Sequence, residues 1–263
     1  LTALLPILKS ELPNIKMVAW QHNEFDVYIK NYYKRFVNDY LLGVKQADLV
    51  VCLTSADLIK YKNINNNSTY IYNPVTIQNT NISNLNSKNI IFVGRLILEQ
   101  KGLDYLINIG KALDNGWRIL VAGDGNDEKK FRHLIAKNKL QEKIILKGAL
   151  KGKELSDLYS SGSIFISTSR WEGFGLVITE AMASGLPIIS FKNNGPNEIL
   201  KSGEYGILIK SNDVNNFTES LKELMEEKEK REYYQQKGLE RIQDFKIEII
   251  LNKWSKSLRR IKD

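Results

Sequence analysis

Short apolar runs separated by polar segments of helical periodicity occupy most of the chain. From residue 89 onward the runs at 90–93, 118–122, 143–146, 163–167, 186–190 and 206–209 recur every 20 to 30 residues. This alternation predicts successive β-α units, with a parallel sheet covered by helices on both faces. The first 75 residues repeat the pattern in a shorter form. Residues 1–12 read as the end of a helix and 15–20 as a buried strand. A polar loop follows at 21–25, then a helix over 28–46, a strand over 47–53 and a helix opened by the capping residues Thr54, Ser55 and Asp57. A further strand at 69–72 ends at Asn73-Pro74. Between residues 63 and 89 there are ten asparagines, and no apolar period survives from 76 to 88, which marks a linker. After Asp213 the pattern is helical almost to the end. A last amphipathic helix carries Phe245, Ile247, Ile249, Ile250, Leu251, Trp254 and Leu258, and the first domain is an available partner for that face. The expected organisation is a domain over 1–75, a linker over 76–88, a second domain over 89–240 and a closing helix over 241–263.

Composition narrows the chemistry. Of 263 residues, 43% are hydrophobic and 26% charged, the balance of a globular chain rather than a disordered one. The apolar runs fall short of the roughly 20 residues needed to span a bilayer, and no basic-plus-apolar leader opens the sequence. A cytoplasmic protein is expected. One cysteine, Cys52, and two histidines, His22 and His133, exclude an internal disulfide and argue against a protein-built metal centre. The net charge of +8 admits nucleic acid, an anionic membrane surface or a phosphorylated substrate. The basic residues are dispersed among acidic ones, so no nucleic-acid partner is expected. Lys30, Lys34, Arg35 and Lys45 lie between the aromatic positions of 28–46, a pattern that suits a core-facing helix and also peripheral contact with an anionic membrane.

The candidate chemistry lies at the carboxyl ends of the expected strands, where open α/β sheets bind ligands. Gly94-Arg95-Leu96 with Lys101-Gly102 sets two cations beside a glycine, a grip suited to a diphosphate. The turn at 122–126 has the look of a dinucleotide fingerprint, but position 128 is not glycine and no acidic residue ends the next strand, so a nicotinamide-type site is rejected. Gly148, in the loop after the following strand, is placed where backbone groups could hold a base. Glu172-Gly173-Phe174-Gly175-Leu176 combines a carboxylate with bare amides just before a helix, which favours an anion. Glu180 lies further along that helix among apolar neighbours and can accept two hydrogen bonds from a vicinal diol such as a ribose. Gly195-Pro196-Asn197-Glu198 opens the next helix on the same rim. His22 follows the first strand at its carboxyl end.

In order and spacing, these segments resemble the donor half of the retaining GT-B glycosyltransferases of family 4. The likeness rests on Gly94-Arg95-Leu96 with Lys101-Gly102, Ala122-Gly123-Asp124-Gly125, Glu172-Gly173-Phe174-Gly175 with Glu180-Ala181, Ala183-Ser184-Gly185-Leu186-Pro187, and Gly195-Pro196-Asn197-Glu198. The strand preceding His22, the Leu53 to Asp57 segment and Tyr72-Asn73-Pro74 look like the end of that family's acceptor domain. The resemblance implies two Rossmann-like domains, the N-terminal one only partly present. It implies that Arg95 and Lys101 hold the donor diphosphate in place of a metal ion, with no prosthetic group. It further implies that Glu180 binds the ribose, Glu172 the transferred sugar, Gly173 to Leu176 the phosphates and sugar, and that His22 approaches the donor sugar. The implied reaction moves a hexose from a nucleotide sugar, uridine-linked by analogy, to a glycan or lipid-linked acceptor of the lipopolysaccharide or capsule kind, with retention and at the inner face of the membrane. The chain begins at Leu1, and on domain size roughly 80 to 110 residues would precede it, so the chain alone is expected to be inactive or nearly so. The competing expectations are a non-catalytic nucleotide-sugar-binding or partner subunit, another GT-B activity such as an epimerase or phosphorylase, and a glycosidase built on the two glutamates.

Overall fold

The structure, a computed structural model, describes residues 1–77 and 81–261. Residues 78–80 of the expected linker and 262–263 of the expected closing helix lie outside the described residues. The chain divides into two compact units. One comprises Leu1–Pro74, Trp171–Phe174 and Phe245–Asp263, the other Val75–Arg170 and Gly175–Asp244.

The first unit is built on a parallel three-stranded sheet of β1 (Val18–Trp20), β2 (Leu49–Cys52) and β3 (Ser68–Tyr70) in the order β1-β2-β3. All four residues of β2 are buried, as a central strand covered on both faces requires. The helix Ser55–Lys62 starts where the capping pattern predicts. The Thr54 hydroxyl accepts from the Asp57 amide at 3.1 Å and donates to the Asp57 carboxylate at 2.7 Å. The other Asp57 oxygen accepts from the Phe25 amide at 3.0 Å, so this buried carboxylate also fixes the loop after β1.

The single helix expected over 28–46 is instead broken. A short helix Phe25–Val27 runs into a π-helical turn Tyr28–Tyr32, and an α-helix Val37–Gln46 follows. Aromatic packing accounts for the break. Tyr28 and Tyr33 both stack on the fully buried Tyr40, with ring centroids 5.4 and 4.5 Å apart. In a continuous helix Tyr28 and Tyr40 would be about 18 Å apart along the axis. The Tyr40 hydroxyl is satisfied by Gln21 and Tyr61.

The second unit holds six parallel strands: β4 (Asn89–Val93), β5 (Arg118–Ala122), β6 (Ile144–Gly148), β7 (Ile164–Ser167), β8 (Ile188–Phe191) and β9 (Ile207–Ile209). Their order is β6-β5-β4-β7-β8-β9. The apolar runs of the sequence account for each, with ends displaced by one or two residues. β7 and β8 are buried throughout, whereas the edge strands β6 and β9 are buried only in part. Phe92, Phe131, Phe191 and Phe217 fill the core on one side of the sheet, each contributing about 1.5–3 kcal/mol of burial.

Two buried arginines donate to main-chain carbonyls at helix ends. Arg231 donates to the Leu224 and Met225 carbonyls at the end of the helix Val214–Glu226. Arg241 donates to Ile199 at 2.8 Å, to Glu198 at 3.0 Å and to the Asp244 carboxylate. Residues 81–88, which lack any apolar period, are held to this unit through Ser83, whose amide donates to Ser184 and whose carbonyl accepts from Gln235.

Candidate active site

The sheet of the second unit is built outward from β4, with β5 and β6 on one side and β7 to β9 on the other. The strand order therefore reverses between β4 and β7. In a parallel sheet of this kind the crevice for a ligand opens beyond the carboxyl ends of the strands at that reversal. The loops that leave β4 and β7 carry Gly94 to Lys101 and Thr168 to Gly175, two of the segments singled out by sequence.

Backbone bonds hold the loops after β4, β5 and β6 as one layer. The Gly94 amide donates to Ala122, Leu96 to Asp124 and Gly123 to Gly148, at 3.0, 2.6 and 2.8 Å. Gly123 has φ +137°, and a Cβ there would stand 1.9 Å from the Gly94 carbonyl oxygen, so only glycine permits this approach. Gly148 ends β6 at φ +74° and pairs with Ala122 after a register shift that follows Val121. Arg95, exposed, lies on this layer. The Lys101 chain passes over Gly94, where an added Cβ would meet Lys101 Cε at 3.4 Å.

Lys101 is fixed from β7 as well. Its carbonyl accepts from the Thr168 hydroxyl at 2.7 Å, and Gly102, left-handed at φ +60°, presses against the Thr168 carbonyl. Arg170 completes the junction. Its amide donates to Gln100, its guanidinium makes a paired contact with Asp104 at 3.0 and 2.6 Å, and it lies 4.1 Å above the Tyr105 ring. The hydrogen bonds to Asp104 raise the Arg170 pKa further above its ordinary value. Arg170 is thus a strut between the β4 and β7 loops.

Glu180 lies on the helix Leu176–Ala183, which Gly175 opens in a left-handed conformation at φ +99°. One carboxylate oxygen accepts from the Thr76 hydroxyl at 2.6 Å, the other from the Tyr159 hydroxyl at 2.9 Å. Burial, with the Glu180 charge beside it, pushes the Tyr159 hydroxyl well above the ordinary tyrosine range, so it stays a donor. Glu180 lines a cavity of about 720 Å³ with Thr76, Ile77, Asn81 and the segment from Leu150 to Asp157 that follows β6. That volume falls within the roughly 300–1,000 Å³ of small-molecule sites.

In the first unit the structure brings His22 together with the turn Trp171–Phe174. The Gly173 backbone lies against that of His22 and Asn23, where a Cβ would be 2.5 Å from the His22 carbonyl oxygen. The Glu172 amide faces a Glu24 carboxylate oxygen at 3.3 Å, and Phe174 packs on Tyr72 and Phe245. The exposed His22 ring tilts over Trp20 at 4.4 Å, and Trp20 meets Trp254 of the helix Ile247–Arg259. Partial burial lowers the His22 pKa below 6.5.

The predicted residues therefore fall into two groups. Gly94, Arg95, Lys101, Gly148, Gly175, Leu176 and Glu180 belong to the second unit, and His22, Glu172, Gly173 and Phe174 to the first. Sequence reasoning missed Tyr159, Thr76 and Arg170. Tyr159 occupies an ordinary buried position of the helix Gly152–Ser160, and its bond to Glu180 spans 21 residues, so no local pattern signals it. Among the described residues no three histidine, cysteine or acidic side chains cluster as metal ligands, and no helix is long and apolar enough to cross a membrane.

A parallel sheet of this order defines an open α/β architecture, and solved structures extend the likeness to both units. TarM of S. aureus, solved with fondaparinux, alpha-GlcNAc-glycerol and UDP, superposes with a TM-score of 0.83 over 97% of this chain and 53% of its own, at 22% identity. The fold is that of the GT-B glycosyltransferases. An uncharacterized glycosyltransferase of Haemophilus influenzae is 31% identical over 250 residues, 92% of this chain and 69% of its own length. The amylovoran biosynthesis glycosyltransferase AmsD of Erwinia amylovora is 33% identical over 168 residues, 63% of this chain and 46% of its own length. The family described as Glycosyl transferases group 1 matches residues 76–241, and the chain belongs to it.

Proposed function

We propose that the protein transfers a hexose from a nucleotide sugar, uridine-linked, to a glycan or lipid-linked glycan acceptor with retention of configuration, as a family 4 enzyme. The observation that carries the reading is the Glu180 carboxylate. It is held by two hydroxyls at the wall of the 720 Å³ cavity and accepts from a ribose diol. The UDP in the TarM complex and the polysaccharide role in the AmsD name lend support to the donor and acceptor classes.

Arg95 and Lys101 grip the diphosphate and stabilise the charge that develops on the leaving nucleotide, an electrostatic role worth several kcal/mol in a site preorganised for it. The backbone bonds that fix Gly94 and the Thr168 hydroxyl bond to the Lys101 carbonyl support this role, because preorganised donors need little rearrangement during reaction. Gly148 lies beside the base, the Gly173 to Leu176 amides meet phosphate and sugar, Glu172 takes the sugar hydroxyls, and His22 approaches the sugar. The bond from the anomeric carbon to the phosphate oxygen breaks as a bond to the acceptor oxygen forms on the same face. The acceptor proton passes to the departing phosphate oxygen. No carboxylate nucleophile is invoked, unlike the usual retaining glycosidase. The donor is used at the inner face of the cell membrane. An apolar groove lined by Leu4, Ile7, Phe36 and Leu42, with Lys30, Lys34 and Arg35 nearby in sequence, supports peripheral contact with anionic lipid.

The test is a calorimetric titration of the protein with UDP and UDP-sugars, repeated with Glu180→Ala. Loss of roughly ten-fold or more in affinity is expected from removing a charged partner of two hydroxyls. Undiminished binding by the variant would show that the ribose is held elsewhere.

A further inference from the structure

Glu180 is useful as a diol acceptor only if both oxygens point into the cavity, and a glutamate on a helix has three rotatable bonds with which to turn away. Two hydroxyls restrain it, and they differ in kind. Thr76 is exposed and meets one oxygen at 2.6 Å. Tyr159 is fully buried and meets the other at 2.9 Å. Among the described residues its hydroxyl has one further acceptor in reach, the Val177 carbonyl at 3.5 Å, which is the longer contact by 0.6 Å.

We propose that Tyr159 is a positioning residue for nucleotide recognition, orienting the Glu180 carboxylate toward the 2′- and 3′-hydroxyls of a nucleoside diphosphate; this rests on the reading of Glu180 as the ribose ligand. The ring is immobilised in the second unit, packed against Phe165 of β7 with centroids 6.1 Å apart. The hydroxyl can therefore aim the carboxylate without moving itself. A carboxylate oxygen offers about two lone-pair directions, so accepting from Tyr159 leaves capacity on both oxygens for the diol. Thr76 meets the oxygen that Tyr159 does not, and a ribose hydroxyl competes for the same atom. Because the Tyr159 hydroxyl is kept protonated by burial beside a negative charge, its donation persists across the working pH range.

The experiment compares UDP with 2′,3′-dideoxy-UDP by calorimetry on the wild-type protein, Tyr159→Phe and Glu180→Ala, with unliganded thermal midpoints recorded for each. The wild type should prefer UDP over the dideoxy compound by roughly ten-fold, and Tyr159→Phe should lose most of that preference, approaching Glu180→Ala. Binding of the dideoxy compound should be nearly unchanged. A residue that merely fills the core would weaken both nucleotides alike and leave the ratio intact, so an unaltered ratio in Tyr159→Phe overturns the inference while the ribose reading stands. Equal binding of the two nucleotides by the wild type, or no binding of UDP, ADP or GDP, overturns both. If Tyr159→Phe is too unstable to titrate, the Glu180 side-chain carboxyl resonance decides. On UDP addition to the wild-type protein it should shift while the Tyr159 hydroxyl proton keeps its bond to it, and loss of that bond refutes the proposal.

Discussion

Replacing Gly123 by alanine tests whether the loops after β4 and β5 act as one rigid layer. The added Cβ would fall 1.9 Å from the Gly94 carbonyl oxygen and 2.9 Å from its carbon. A carbon and an oxygen in ordinary contact stand about 3.3 Å apart, so the two backbones must separate by about 1.4 Å. Both atoms are main chain, and no side chain can rotate to absorb the strain. Overpacking of this kind costs about 1–3 kcal/mol, and holding a non-glycine residue at φ +137° adds a further cost of about 1–3 kcal/mol. A total near 4 kcal/mol corresponds to a fall of about 8–16 °C in the unfolding midpoint. Gly203→Ala supplies the control. Gly203 has φ +108° with nothing within 4 Å of its Cβ position, so it isolates the conformational cost, about half the total. Differential scanning calorimetry of both variants measures the stability, and nucleotide titration measures the site. A displacement of this size beside Arg95 should also weaken nucleotide binding. If Gly123→Ala melts no lower than Gly203→Ala, the tight backbone contact is not a real constraint and the rigid-layer reasoning fails.

Further consequences concern groups outside that layer. Arg241→Met should cost about 1–3 kcal/mol in urea unfolding, because it removes the guanidinium donor to the buried Ile199 carbonyl; no measurable loss would contradict that role. The His22 imidazole should titrate below 6.5, since burial disfavours its charged form. The unfolded chain then takes up the proton first as pH falls, so His22 lowers stability progressively from about pH 6.5 down through its folded pKa and has no effect above that window. Proton NMR of the His22 ring checks this, and a value at or above 6.5 would show that the contact with Trp20 does not desolvate it.

The amino-acid sequence by itself determined the β-α rhythm of both units. Runs such as Ile164-Phe-Ile-Ser167 are too apolar to stand at the surface, and a strand buried on both faces needs helices to cover it. It also gathered glycines and charges at the strand ends, where an open α/β sheet binds its ligands. Two things needed the tertiary structure. The break at Tyr33 to Phe36 follows from Tyr28 and Tyr33 both reaching Tyr40, a long-range packing that overrides local helical period. The environment of each glutamate was likewise invisible, since only seven residues lie between Glu172 and Glu180 in sequence yet each packs with a different unit. The turn bearing Glu172 joins His22 and Tyr72, whereas Glu180 takes Tyr159 and Thr76. Periodicity reports which face of an element is apolar; only the folded chain decides which distant hydroxyl meets a given carboxylate.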